Sequence, residues 1–95
     1  MPVITPTVGR IVWFTPAKDD AHIVYHGDQP LAAIVTYVFH DRMINLTAFD
    51  HNGNSKPYTS VVLAQEGDPK PDGFYAEWMP YQLGQAKKHE TEKAA

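Results

Sequence analysis

Ninety-five residues make one domain, because a chain this short folds around a single hydrophobic core. A domain of this size buries roughly 60–65% of its unfolded surface, which leaves little stability for a deep internal active site and puts any ligand on the surface or between subunits. Eight basic residues face eleven acidic ones, and Lys87, Lys88 and Lys93 sit in the last stretch, so the body is more acidic than the net −3 suggests. Before that stretch only Arg10, Lys18, Arg42, Lys56 and Lys70 remain to meet phosphates, too few to coat duplex nucleic acid. The absence of cysteine removes disulfides, thiolate metal sites and cysteine nucleophiles. Met1 to Pro6 carries neither a basic region nor an apolar stretch, so no leader is expected, and no apolar run reaches the length of a membrane span.

Gly9 to Phe14 is a β-branched and aromatic run ending at Thr15-Pro16 and predicts the first strand. A polar loop follows from Ala17 to Pro30, within which Ala21 to Tyr25 reads as a short edge strand or an extended lid. Leu31 to His40 gives the strongest strand, with alternating residues apolar on both faces. Asp41-Arg42 turns the chain into Met43 to Asp50, where Ile44, Leu46 and Ala48 alternate with Asn45, Thr47 and Phe49. Asn52-Gly53 offers the positive φ angles of a primed hairpin turn into a strand over Tyr58 to Gln65. The turn-rich segment Gly67 to Gly73 leads to a last short strand, Phe74 to Trp78. These elements predict a mostly β fold, a small five-stranded antiparallel barrel of the SH3-like or OB-like kind over residues 1–81, with a two-sheet sandwich as the alternative. Residues 82–95 are polar and alanine-rich and predict a flexible or helical C-terminal tail.

The chemistry-bearing patterns are sparse. Asp50-His51-Asn52-Gly53-Asn54 echoes the start of a calcium loop, but Val61 stands where the bidentate Glu would be needed, so a plain hairpin turn is the better reading. His22 and His26 share a face at a spacing of four, and with Asp19, Asp20 or Asp28 could frame a two-histidine site; solvated loop histidines are commoner, and no metal is assigned. There is no Gly-x-Ser-x-Gly elbow and no glycine-rich phosphate loop, and the aspartates fall where turns place them, so neither a catalytic residue nor a cofactor is expected. What exceeds expectation is the ring content: Trp13, Phe14, Tyr25, Tyr37, Phe39, Phe49, Tyr58, Phe74, Tyr75, Trp78 and Tyr81. A five-stranded barrel has room inside for about half of these, leaving amphipathic rings to stack on a ligand or anchor an interface.

Thr7 to Phe14, Gln29 to Thr36, Asn45 to Asp50 with Asn52-Gly53, and Glu77-Trp78-Met79-Pro80-Tyr81 together resemble a family of small proteins of tailed bacteriophages and prophages. The likeness covers residues 7–85 and rests on strands, a hairpin turn and a closing Trp-Pro. It implies action in the cytoplasm of the infected bacterium or in the virion, and it carries over no catalytic residue. Small phage β proteins include ones that counter host defences by sequestering cyclic nucleotide signals between subunits, an analogy of setting rather than of residues. On that expectation the ligand-binding residues are Arg10, Trp13, Tyr25, Arg42, Tyr58 and Trp78, the rings stacking on a nucleotide-like ligand and the arginines meeting its anion in what would be a homo-oligomer. The alternative is an interaction module that docks on a phage or host protein through an edge strand and its aromatics.

Overall fold

The computed structural model describes residues 3–20 and 23–94, with side chains up to Lys88. Five strands, β1 (Ile11–Thr15), β2 (Leu31–His40), β3 (Met43–Phe49), β4 (Ser55–Ala64) and β5 (Tyr75–Glu77), close into a barrel in chain order, and a helix α1 (Pro80–Ala94) follows. Sequential neighbours all the way round make a meander without the Greek-key crossover of an OB fold, so of the two expected barrels the SH3-like order is the closer. Four of the five pairings are antiparallel; β4 and β5 close the ring in parallel through Leu63↔Ala76 and Ala64↔Glu77. The connection from Gln65 to Phe74 is long enough to bring the chain back in the same direction, which the turn-rich segment did not reveal.

Period-two alternation fixes what lies inside. Val12 and Phe14 of β1, Leu31, Ala33 and Val35 of β2, Ile44, Leu46 and Ala48 of β3, Val61 and Leu63 of β4 and Ala76 of β5 are buried together, with Ile23 of the first loop and Trp78 plugging the ends. The innermost positions are filled almost wholly by aliphatic residues; of the rings, Phe14 and Trp78 are fully enclosed and Tyr25, Tyr58 and Phe74 pack against the core partly buried. Closure curves the wall, and three one-residue bulges supply the bend: β2 carries an extra residue between Val35 and Tyr37 and another between Val38 and His40, and β4 carries one opposite Asn45. Ser60 in the last of these takes φ +53°, and its N–H donates to Asn45 Oδ1 at 2.8 Å, so the bulge's freed donor is satisfied by the strand it faces.

The turn after β3 differs from the primed two-residue turn expected of Asn52-Gly53. Gly53 N–H donates to Asp50 O at 2.8 Å and Asp50 N–H to Asn54 O at 2.9 Å, and Gly53 alone in the turn has positive φ, +87°. This is the three-residue hairpin, a turn followed by a left-handed glycine, and it is selected because Asp50 collects the neighbouring N–H groups. The loop stretch expected as a strand or lid has no strand at Ile23 to Tyr25, and Ala21 and His22 lie outside the described residues. α1 opens with Pro80 at its first position and Gln82 Oε1 accepting the Met79 N–H at 2.8 Å, half of a capping box. Leu83 packs on the core, Gln82 Nε2 donates to Ile11 O at 2.8 Å, and Lys87 pairs with Glu66 at 2.8 Å, which fastens the first two turns of the helix to the barrel.

Candidate ligand-binding face

Outward positions on β1 and β5 fall into register. Trp13 is paired with Glu77 and Thr15 with Tyr75, while Val12, Phe14 and Ala76 between them point inward. Two clefts run along this face and meet at Thr15. One, of 180 Å³, is lined by Trp13, Thr15, Tyr25, Gly27, Asp28, Gln29, Pro30 and Glu77. The other, of 420 Å³, is lined by residues that include Thr15, Pro16, Lys18, Lys70, Pro71 and Tyr75. Lys70 bridges the two: its Nζ lies 3.1 Å from Glu77 Oε1 and 5.9 Å from the centre of the Tyr75 ring. The hydrogen bond and charge of Glu77 hold the Lys70 ammonium above its ordinary pKa.

The first loop forms one wall of the face and is fixed at several points. Ile23 enters the core, and Tyr58 Oη donates to Asp20 Oδ2 at 3.1 Å. Burial first, and the carboxylate of Asp20 second, push the Tyr58 phenol up to about 12. His51 N–H donates to Val24 O at 2.9 Å, and His51 Nδ1 accepts the His26 N–H at 3.1 Å, which leaves the ring proton on Nε2, 3.4 Å from Pro30 O. The imidazoles of His26 and His51 stack with centres 5.2 Å apart and planes 7° apart, beside Tyr25 at 5.7 Å from His51.

Asp50 shows why the calcium echo is a turn. Its Oδ1 accepts the N–H groups of Asn52 and Asn54, each at 2.9 Å, and its Oδ2 accepts from Val24 N and Asn54 Nδ2, each at 3.4 Å. The lone pairs a cation would need are taken by donors. Burial works to raise this carboxyl's pKa, and the four donors outweigh it and hold the group below the usual carboxylate range. Among the described residues no group of three or more His, Asp or Glu could hold a metal ion; of the suggested two-histidine site, His22 lies outside the described residues.

The six residues expected to bind ligand are not brought to one place. Trp13 and Tyr25 line the same cleft. Arg10, just before β1, lines a separate groove with Ile4, Tyr81 and Gln82. Arg42 is engaged by Asp68, Nε to Oδ2 at 2.8 Å and Nη2 to Oδ1 at 3.4 Å. The Tyr58 ring packs on Phe14 at 4.6 Å and on Phe74 at 5.5 Å, and Trp78 is only 2% exposed. The Tyr58 ring is thus engaged by two aromatic neighbours, and Trp78 is part of the buried core. The cations and acceptors near Trp13 are Lys18 and Asp28 from the first loop and Lys70 and Glu77, which the pairing of β5 with β1 brings in; no local motif marks them.

No protein-family model, curated protein or solved structure matches the chain. No helix among the described residues is long and apolar enough to cross a membrane.

Proposed function

We propose that the chain is a non-enzymatic binding protein whose ligand, a small nucleotide-like molecule, lies across the outward face of β1 and β5. The observation that carries the reading is the placement of Trp13 and Tyr75 on adjacent rows of this face, with Glu77 and Asp28 in the cleft of Trp13, Lys18 in the cleft of Tyr75, and Lys70 paired with Glu77 between them. A planar base stacked on Trp13 gains about 1–3 kcal/mol. The carboxylates are acceptors for a base's ring and exocyclic N–H groups, and the lysines are compact point charges suited to phosphate. The resemblance to products of tailed phages supplies the setting, an accessory protein that withdraws a cyclic-nucleotide-type defence signal in the host cytoplasm. The test is a thermal-shift and Trp-fluorescence titration with cyclic dinucleotides and cyclic ADP-ribose isomers. A ligand at a hundred times its Kd adds about 2.7 kcal/mol of stability, and Trp13→Ala and Lys70→Ala each weaken binding. No stabilisation by any of them, or binding indifferent to both substitutions, defeats the reading.

A second reading is favoured by Tyr37 and Phe39, 54% and 50% exposed and packed edge to face at 4.9 Å on the bulged end of β2. Such a pair suits docking on a phage or host protein through side chains, because a closed barrel offers no long free edge for strand addition. Recovery of the protein in purified virions, lost with Tyr37→Ser, favours this reading over the first.

A further inference from the structure

The end of the first loop lines two cavities. To the 180 Å³ cleft of Trp13 it gives Tyr25, Gly27, Asp28, Gln29 and Pro30. A second cavity, of 280 Å³, is lined by His26, Asp28, Gln29 and His51, so Asp28 and Gln29 belong to both. This stretch is held to the turn after β3 largely by one residue. His51 N–H donates to Val24 O at 2.9 Å, its Nδ1 accepts the His26 N–H at 3.1 Å, and its Nε2 lies 3.4 Å from Pro30 O. Only the neutral imidazole with its proton on Nε2 can make both ring contacts. A second proton must go on Nδ1, where it sets donor against donor at the His26 N–H. The His26 ring, stacked at 5.2 Å with planes 7° apart, adds a repulsion once both imidazoles are charged.

We infer that His51 is a proton-operated latch on the first loop: neutral, it holds residues 24–30 in place, and protonated, it releases them and with them one wall of the Trp13 cleft. The other titratable groups around the ring are Tyr25, at 5.7 Å, Asp28 in the shared cavity and Asp50, the preceding residue. The two carboxylates draw a proton towards the imidazole, but neither relieves the conflict at Nδ1, and the oxygens of Asp50 are already taken by four donors. The latched state cannot accept the proton without losing its bond, so acidification favours the released state. A ligand that needs this wall then binds more weakly as pH falls, a consequence that rests on the nucleotide reading above, whereas the latch itself does not.

The test uses the full-length, isotope-labelled protein without ligand, followed by NMR from about pH 8 to about pH 5, the range in which imidazoles ordinarily take up a proton. At the alkaline end the His51 ring is expected as the Nε2–H tautomer. As it gains its second proton, protection of the His26 amide against exchange should fall about fivefold, the worth of one net hydrogen bond. The Trp13 indole signal should move with the same midpoint while amides of β2 and β3 keep their protection. His51→Gln puts a side chain that does not titrate in the same place and should abolish the Trp13 response. His26→Ala keeps the backbone N–H and removes the other imidazole, and should retain it. An Nδ1–H tautomer at the alkaline end, a His26 amide whose protection ignores the titration of His51, or a Trp13 response that survives His51→Gln or is lost in His26→Ala, overturns the proposal.

Discussion

Removing one oxygen from Tyr58 tests the anchor that holds the first loop against the barrel. Tyr58→Phe keeps the ring on Phe14 and Phe74 and deletes only the hydrogen bond to Asp20. The phenol is raised from 10 to about 12, but burial is the first cause and the Asp20 bond the second, so only part of the shift belongs to the bond. A hydrogen bond to a charged acceptor is worth about 1.5–3 kcal/mol when well buried, and about 1–1.5 kcal/mol for this half-buried one. In a domain of this length that corresponds to a fall of about 4–10 °C in Tm. The sign with pH follows from the raised folded-state pKa: the contribution is whole below pH 10 and is lost as pH rises from about 10 to about 12. Urea unfolding of both proteins from pH 7 to pH 11.5 should show a gap that is constant to about pH 9.5 and then closes. Equal midpoints at pH 7, or a gap that does not narrow in alkali, would refute the assigned bond.

Leu46→Ala empties a fully enclosed position on β3 and should cost about 2–5 kcal/mol, a large share of the roughly 5–14 kcal/mol a domain of this size has; a loss below 1 kcal/mol in chemical denaturation would show that the barrel interior is not packed as described. Asp50 and Asp68 are both held below the usual carboxylate range, so their stabilisation is present above the unfolded carboxylate pKa and disappears as pH falls through the lower folded values; thermal unfolding should decline below about pH 4, and more shallowly in Asp50→Asn. His51→Phe keeps a ring beside His26 and removes the acceptor for its N–H, so the His26 amide should exchange faster while amides of β2 and β3 keep their protection. Ser60→Gly relieves about 1–2 kcal/mol of left-handed strain against about 0.5–1 kcal/mol of added unfolded-chain entropy, so the variant should be as stable as the parent or more so, and Ser60→Val clearly less.

Most of the barrel was legible in the sequence because strand alternation is a local property. Leu31 to His40 was bounded correctly to the residue by Pro30 before it and Asp41-Arg42 after it, and Ile44, Leu46 and Ala48 were assigned to the buried face they occupy. The parallel closure was not legible, since a three-residue strand carries no signal of its direction. The glycine at Asn52-Gly53 marks a turn but not its length, because the deciding group is the Asp50 carboxylate and its four donors, one of them from Val24 in a loop distant in sequence. The candidate site was half legible for the same reason. Trp13 and Tyr25 announce themselves as amphipathic rings, whereas Tyr75 and Glu77, with Lys70 just before them, join them only through the pairing of the first strand with the last. Arg42 looked available as a free cation until Asp68, from the turn after β4, was found to hold it.

The distribution of rings follows from the geometry of so small a barrel and bears on what the outside is for. Inward positions on five short strands converge on a narrow axis, and Ala33, Ala48 and Ala76 there leave room for aliphatic neighbours and for one ring, Phe14. Phe74 and Tyr58 complete a three-ring cluster at the barrel's rim with Phe14, and Trp78 closes an end. Of the remaining rings Tyr25 also packs against the core, partly buried, while Tyr37, Phe39 and Tyr81 are exposed. Trp13, Tyr25 and Tyr75 gather on the wall where the first loop, the lysines and the carboxylates also converge, while Tyr37 and Phe39 stand apart on β2. Rings collected beside both signs of charge on one outer wall are the feature on which the proposed recognition role rests.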